Sequence, residues 1–449
     1  MVFDTTVQAL SALAPSSAPA AAEAAVSPAA VDSLWLLVGA GLVLLMTPGV
    51  AFFYGGMVRA KSVISMMMMS FGSMAVVGVL WVLYGYGFAF GRPIIPHVFG
   101  SADFGMASLL GPNGTTPNMS GLSFAGFQAT FAIIAVALIS GAIADRARFG
   151  AWLLFVAVWV SLVYFPVAYW VFNLRDGWIA SVLHVNDFAG GTAVHIAAGS
   201  GALALTLVLG KRIGFGRGMY EPHNVPLTLL GAALLWFGWF GFNAGSEGAV
   251  DGTTALVWVN TLVAPAAAIL GWLGVERLKS KRMSSIGAAS GAVAGLVAIT
   301  PACNVLTPLW AIVLGALAGA VCALAIDWKF RFGFDDSLDV VGIHMVGGII
   351  GTLFVGVAGM THVDGDPSKG FSSLLYGGSF RQLAVQAIAV VVVAVFVFVV
   401  TYLIGFAIQK TIGFRLPAGA ESAGVDLAVH GEVGYALADI AEAPAGAQP

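Results

Sequence analysis

The sequence predicts an all-α membrane protein: eleven transmembrane helices, built as two inverted five-helix repeats followed by a long eleventh helix. Three observations carry that prediction. Of 449 residues, 59% are hydrophobic and only 9% charged, whereas a soluble domain needs about 25% charged residues to cover its surface. The apolar residues fall into eleven runs separated by polar or Gly/Pro-marked loops, and most runs are long enough to cross about 30 Å of hydrocarbon at about 1.5 Å per residue. The third observation is an echo: Asp187 precedes His195 by eight residues, and Asp336 precedes His344 by the same eight.

Residues 1–31 are rich in Ala, Ser and Pro and hold no Lys or Arg. They read as a flexible tail; lacking a positive n-region, they fit a cleaved signal segment less well. The transmembrane domain covers 32–410 and a cytoplasmic tail covers 411–449. The eleven spans are placed at 33–57, 62–90, 121–144, 150–172, 190–209, 225–245, 253–275, 286–302, 308–326, 338–360 and 382–409. Glycine recurs every four residues at Gly287, Gly291 and Gly295 and at Gly315 and Gly319, a spacing that lets helices pack backbone to backbone in lipid. Fifteen of the 19 Lys and Arg residues fall in one alternating set of loops, and Arg92, Arg175, Lys369 and Arg381 in the other. Cations are retained on the cytoplasmic side, so the N-terminus lies outside and the C-terminus inside. That arrangement demands an odd number of spans.

Composition also excludes whole classes of function. A net charge of −3 with no long basic run argues against a nucleic-acid partner. Cys303 and Cys322 have neither redox nor disulfide spacing, and no cofactor motif is present. The bilayer is the implied solvent.

The Asp-to-His echo is the most informative internal feature. Five spans separate the two copies, so the fifth helix enters from outside and the tenth from the cytoplasm, as inverted-topology repeats require. Eight residues place each imidazole about 12 Å inside its helix start, and two such depths from opposite faces meet near the midplane. Ionisable groups there are costly, and a functional pathway is their default explanation. A lone intramembrane His is often a satisfied core residue; two related by symmetry favour the pathway. Asp187 and Asp336 read first as N-caps, with substrate recruitment as the second reading.

Several stretches resemble the ammonium transporter family: DFAGGTAVHIAAG at 187–199, LGKRIGFGRGMYEPHNVPL at 209–227, WFGWFGFNAGS at 236–246, TPGVAFFYGGMVRAKS at 47–62, GAIADRARF at 141–149, ITPAC at 299–303 and VVGIHMVGG at 340–348. Together they run from the first span to the cytoplasmic tail. The resemblance implies an inner-membrane homotrimer in which each subunit has its own pore for ammonium or ammonia. It implies an external site at Phe131, Phe172, Trp239, Ser246 and the carbonyl of Ala189, an aromatic gate of Phe131 and Phe242, and a proton-relaying pair, His195 and His344, below it. Thr300 matches the outer end of the eighth helix.

Where related proteins read WVW, this chain reads YWVFNLRDGW, which puts Phe172 at the vestibule position usually held by Trp. A two-residue shift would instead bring Trp170 or Trp178 there, and both alternatives stay open at this point. The stretch GVDLAVHGEVGY at 424–435 resembles the family's tail motif; it would lie across the cytoplasmic face, couple subunits and help dock a nitrogen-regulatory signal protein. The terminal AEAPAGAQP reads as disordered.

Two other classes compete with transport. One is a membrane receptor that senses ammonium through a separate partner. The other is an intramembrane metalloenzyme, but two His without a third ligand make a poor zinc site. Transport of ammonium is the expected function, and no metal is expected.

Overall fold

The computed structural model describes residues 27–111, 114, 116–216, 221–363 and 366–435. The tail expected at 1–31 and the disordered end at 441–449 lie largely or wholly outside these residues. Ten described helices are long and apolar enough to cross a membrane: α1 Pro28–Met57, α2 Ala60–Phe90, α3 Met119–Ile143, α4 Phe149–Phe172, α5 Gly191–Leu209, α6 Val225–Glu247, α7 Gly252–Ser280, α9 Pro308–Phe332, α10 Val341–Ala358 and α11 Arg381–Thr411. The shorter apolar helix α8, Ser285–Ile299, completes the expected order.

Local chemistry explains where these helices begin. Asn118, Asp251 and Ser284 accept hydrogen bonds from the backbone N–H of Gly121, Thr254 and Gly287, at 3.0, 2.9 and 2.8 Å, and so cap α3, α7 and α8. α6 and α9 pair a capping Asn224 or Thr307 with a proline in the first turn. α1 starts five residues earlier than the hydrophobicity indicates, because Ser27 caps it and Pro28 occupies its first turn. Two short hairpins join the helices without a clear signal in the apolar pattern. β1 Pro93–Ile95 pairs with β2 Phe99–Gly100, and β3 Met360–Val363 with β4 Asp366–Ser372.

The glycines do what their spacing implies. A Cβ on Gly315 or Gly319 of α9 would collide with the carbonyls of Ala264 or Ala268 on α7, and one on Gly295 of α8 would come 2.7 Å from Pro265 Cα. These helices touch along their backbones, where dispersion and close packing replace the missing hydrophobic drive.

The inverted repeat is visible in how broken helix ends meet helix starts. The last turn of α3 receives a hydrogen bond at Ala142 O from Ser337 Oγ (3.2 Å), just before α10. The loop after α8 receives one at Pro301 O from Asn186 Nδ2 (2.9 Å), just before α5. Third meets tenth and eighth meets fifth, as a pseudo-twofold axis in the membrane plane requires.

A buried ionic cluster ties together the loops next to α10. Asp335 pairs with Arg212 (3.0 Å) and lies 3.9 Å from Arg146, while Asp145 lies 3.4 Å from both Arg59 and Arg212. Burial pushes the Asp335 carboxyl up, but its hydrogen bonds to Arg212 and the charges of Arg146 and Arg212 outweigh that and hold it below the ordinary carboxylate value. Burial lowers the Arg146 guanidinium to about 10, against the opposing pull of Asp335.

The tail folds onto this cluster. Two short helices, α12 Ala418–Ala423 and α13 Val425–His430, lie beyond α11. Glu421 pairs with Arg415 (2.9 Å) and accepts from Ile213 N–H (2.6 Å), and Asp426 accepts from the N–H groups of Ile64 (3.1 Å) and Ser65 (2.8 Å) near the start of α2.

Candidate functional site

The centre of the site is made by two irregular helix starts. Asp187 Oδ1 accepts from Gly190 N–H (3.0 Å) and Gly191 N–H (2.5 Å), and Oδ2 accepts from Thr192 N–H (2.7 Å), Ala193 N–H (3.3 Å) and the Thr192 hydroxyl. Asp336 receives two such bonds, from Val340 N–H (3.1 Å) and Val341 N–H (2.7 Å). Each chain entry passes through a left-handed residue, Gly190 at φ 112° and Asp339 at φ 63°. Each helix then opens with a π turn, Gly191–Ile196 and Val341–Met345. The sequence pattern predicts plain α-helix at both places. The wider turn matters because it carries the histidines, and π turns recur where a side chain must be re-aimed.

His195 and His344 meet with Nδ1 to Nδ1 at 3.3 Å and ring centroids 5.4 Å apart. Both are buried, at 1% and 4% exposure. One Nδ1 must carry the hydrogen and the other offer its lone pair, so the pair holds one shared proton between two helices of opposite direction. His195 Nε2 has no hydrogen-bond partner among the described residues. It lies beside a narrow internal cavity of about 10 Å³ whose other walls include Val50, Ile134, Leu138 and Val293.

Phe131 and Phe242 close that lumen on one side. Their rings stack 4.2 Å apart at 23°. Beyond them lies an open cavity of about 360 Å³, lined in part by Gln128, Phe172, Asp187 and Ser246. Phe172 stands edge-on to Phe131, with centroids 6.1 Å apart at 84°. Trp170 is committed elsewhere: its indole N–H donates to Val98 O (2.8 Å) and its ring packs on Phe396 and Trp178. Of the three aromatics considered, Phe172 is the one the fold brings to this cavity. Ser246 donates its hydroxyl to Phe242 O (2.7 Å), which leaves oxygen lone pairs for a donor in the cavity. Ala189 is fully buried next to Gly190, where an added Cβ would come 3.2 Å from the Phe172 ring.

One expected vestibule residue, Trp239, lies elsewhere. Trp239 is on the lumen side of the phenylalanine pair, stacked on His195 at 5.3 Å and 21°. It faces inward because its indole N–H donates to Thr300 Oγ1 (2.9 Å). Thr300 in turn lies 3.2 Å from Asn243 Oδ1 and 2.7 Å from Leu296 O. Its side chain is therefore engaged with Trp239, and it does not border the outer cavity. Three polar residues near the gate escape the sequence reading: Asn243, which also donates to Thr261 (3.0 Å), and Gln128 and Glu247 on the cavity wall. The signal that could find them is a polar residue within an otherwise apolar span.

The sequence profile described as "Ammonium Transporter Family" matches residues 34–435. An "Ammonium transporter" of Mycobacterium tuberculosis is 50% identical over 435 residues, covering 91% of this chain and 90% of that one. Among solved structures, a "Sensor Amt Protein" matches with a TM-score of 0.80 at 30% identity, covering 90% of this chain and 99% of that chain. Mep2 of Saccharomyces cerevisiae matches with a TM-score of 0.77 at 30% identity, over 86% of this chain and 90% of that one. The protein is a membrane transporter or channel and not an enzyme. From its multi-pass fold, its paired inner histidines and these matches, the chain belongs to the ammonium transporter family.

Proposed function

We propose that this chain carries ammonium across the cytoplasmic membrane, taking it up as the cation and passing it inward as ammonia. The observation that carries the reading is the buried histidine pair, joined at 3.3 Å inside an apolar lumen and shut off by two stacked rings. Such a lumen is hostile to an intact ion: moving a charge out of water costs several kcal/mol. Deprotonation is cheaper. For an ion whose pKa is about two units above the working pH, it costs about 2.7 kcal/mol at about 1.36 kcal/mol per unit.

The cation is recruited outside the gate. Phe131 and Phe172 offer ring faces or edges, Ser246 offers hydroxyl lone pairs, and the Ala189 carbonyl is a second acceptor. Phe131 and Phe242 then part, and ammonia enters a lumen where imidazole nitrogens are its hydrogen-bond partners. The shared proton between His195 and His344 provides a route for the released proton to follow. Asp187 acts through the helix it caps, and Asp336 does the same from the opposite face. Potassium, similar in charge and size, can neither donate directed hydrogen bonds nor lose a proton.

In this reading the N-terminus is outside, the C-terminus is cytoplasmic, and three copies assemble with one pore each. The cytoplasmic surface that includes the folded tail is where a nitrogen-regulatory signal protein would dock. The second reading is an ammonium sensor, favoured by the likeness to a protein described as a sensor. Reconstitution separates the two. An ammonium pulse on proteoliposomes should give a current or a lumenal pH change that empty liposomes lack; binding without flux would support the sensor.

A further inference from the structure

The chain that leads into α5 is gripped by a side chain from another helix. Gln386 lies on α11, the helix beyond the two repeats, and is fully buried. Its Oε1 accepts from Asn186 N–H (2.9 Å), while its Nε2 donates to Asn186 O (2.8 Å) and to Thr352 O on α10 (3.0 Å). Gln382, one turn earlier on α11, donates to the same Oε1 (3.3 Å). Both hydrogens and both lone pairs of the amide are therefore used. Its orientation is fixed as well, because the Asn186 N–H can only donate and the two carbonyls can only accept. A group that takes the N–H and the C=O of one residue together sets where that residue sits and which way it faces, as a neighbouring strand does in a sheet.

Asn186 directly precedes Asp187, the cap of α5. Its own side chain reaches away from Gln386: Nδ2 donates to Pro301 O (2.9 Å) and to Asn304 Oδ1 (3.2 Å). Pro301 follows Thr300, which accepts from the Trp239 indole that stacks on His195. The grip on Asn186 thus bears on the histidine by two routes, one through Asp187 and one through Thr300. At the head of α10 the matching carbonyl, Asp335 O, accepts from Arg146 Nη2 (2.6 Å). The residue before each capping aspartate is held by a buried side chain from another element, and on the α5 side that element is α11.

We infer that Gln386 is a positioning residue for ammonium uptake: by fixing Asn186 it sets the Asp187 turn and the Ala189 carbonyl that the transport reading above assigns to recruitment, and the inference rests on that reading. Ala189 is three residues from Asn186, whereas His195 is nine away and separately anchored by the Asp187 bonds and by His344. Loss of the clamp therefore disturbs recruitment more than conduction.

The experiment applies ammonium chloride pulses to proteoliposomes holding equal amounts of monodisperse parent, Gln386→Met and Gln386→Asn proteins, and follows hydrogen–deuterium exchange in the peptide covering 184–187. Methionine fills the space without polar atoms; asparagine keeps the amide but withdraws it by one methylene. Gln386→Met should raise the half-saturation concentration about five- to twentyfold, with a change in maximal current of about twofold or less, and should speed exchange at the Asn186 amide. Gln386→Asn should raise half-saturation by a smaller factor, and it carries the test where the Met protein is not recovered folded. A parental half-saturation in the variants recovered folded overturns the inference. So does a lower maximal current at parental half-saturation, which is the mark of lost folded protein alone, and so does a rise in half-saturation without faster exchange at Asn186. Failure of the parent itself to respond to ammonium would refute the transport reading instead.

Discussion

At the head of α5, Asp187 gives its carboxylate to four backbone N–H groups and the Thr192 hydroxyl, and no described Lys or Arg lines the cavity outside it. At the head of α10, the matching Asp336 binds two N–H groups and lies among fixed cations. Lys329 donates to its carbonyl (3.1 Å) and pairs with Asp339 (2.6 Å), and the adjacent Asp335 is held by Arg212 and Arg146. The backbone plan is the same at both ends, down to the left-handed residue and the π turn. The electrostatics are not. One mouth is lined without Lys or Arg among the described residues, and at the other Arg59, Arg146, Arg212 and Lys329 are paired with Asp145, Asp335 and Asp339.

The ionic cluster beside the head of α10 offers the largest effect by which this comparison can be broken. Asp335→Asn removes the carboxylate that neutralises Arg146 and Arg212. Breaking a buried pair from one side costs about 3 to 5 kcal/mol, and thermal unfolding in detergent should show a large drop in Tm. Acid should act in the same direction in the parent. The folded-state pKa of Asp335 is depressed, so its contribution is complete above its unfolded value of about 3.9 and disappears as pH falls through the lower folded value. A parent whose Tm is no more acid-sensitive than that of the Asn variant would contradict this.

The two caps come next. Asp187→Ala leaves four N–H groups to find other partners and should cost about 2 to 4 kcal/mol, while Asp336→Ala, losing two, should cost about 1 to 2 kcal/mol. Equal destabilisation by the two would mean that the number of hydrogen bonds does not set their weight. Asp187→Asn sharpens the point, since it keeps one acceptor oxygen and loses the charge. Normal stability with normal half-saturation would assign Asp187 to capping alone.

The smallest effect belongs to Phe172. An indole at this position should add about 0.5 to 1 kcal/mol of cation–π attraction, so Phe172→Trp should lower the half-saturation concentration for ammonium about two- to fivefold. An unchanged value in a flux assay would remove Phe172 from the recruitment site, although it contacts Phe131 at 6.1 Å.

Much of the pore is legible in the sequence because its determinants are periodic or local. The order of the helices follows from apolar runs, and the meeting of His195 with His344 follows from one spacing repeated on opposed helices. The capping roles of Asp187 and Asp336 are local chemistry of the same kind. What is not legible depends on contacts between distant segments. Trp239 is turned into the lumen by Thr300, 61 residues away, and a motif position near the end of a span gives no hint of that. The π turns are equally hidden, since an extra residue in one turn leaves the hydrophobic pattern of a buried helix unchanged. Glu247 is a single acid after a recognisable stretch, and its place on the wall of the outer cavity is set by the assembled helices.

In the proposed mechanism the histidine pair admits only the deprotonated species. The direct measurement compares ammonium-driven and potassium-driven currents in proteoliposomes for the parent and for His195→Asp and His344→Asp proteins shown to keep the parent's oligomeric state. A carboxylate in the lumen supplies a negative charge and a fixed acceptor, which makes room for an intact ion. A histidine filter predicts that the parent excludes potassium and that both variants admit it. If both variants carry ammonium at the parent's rate and still exclude potassium, the pair is not the filter, and selectivity is set outside the gate.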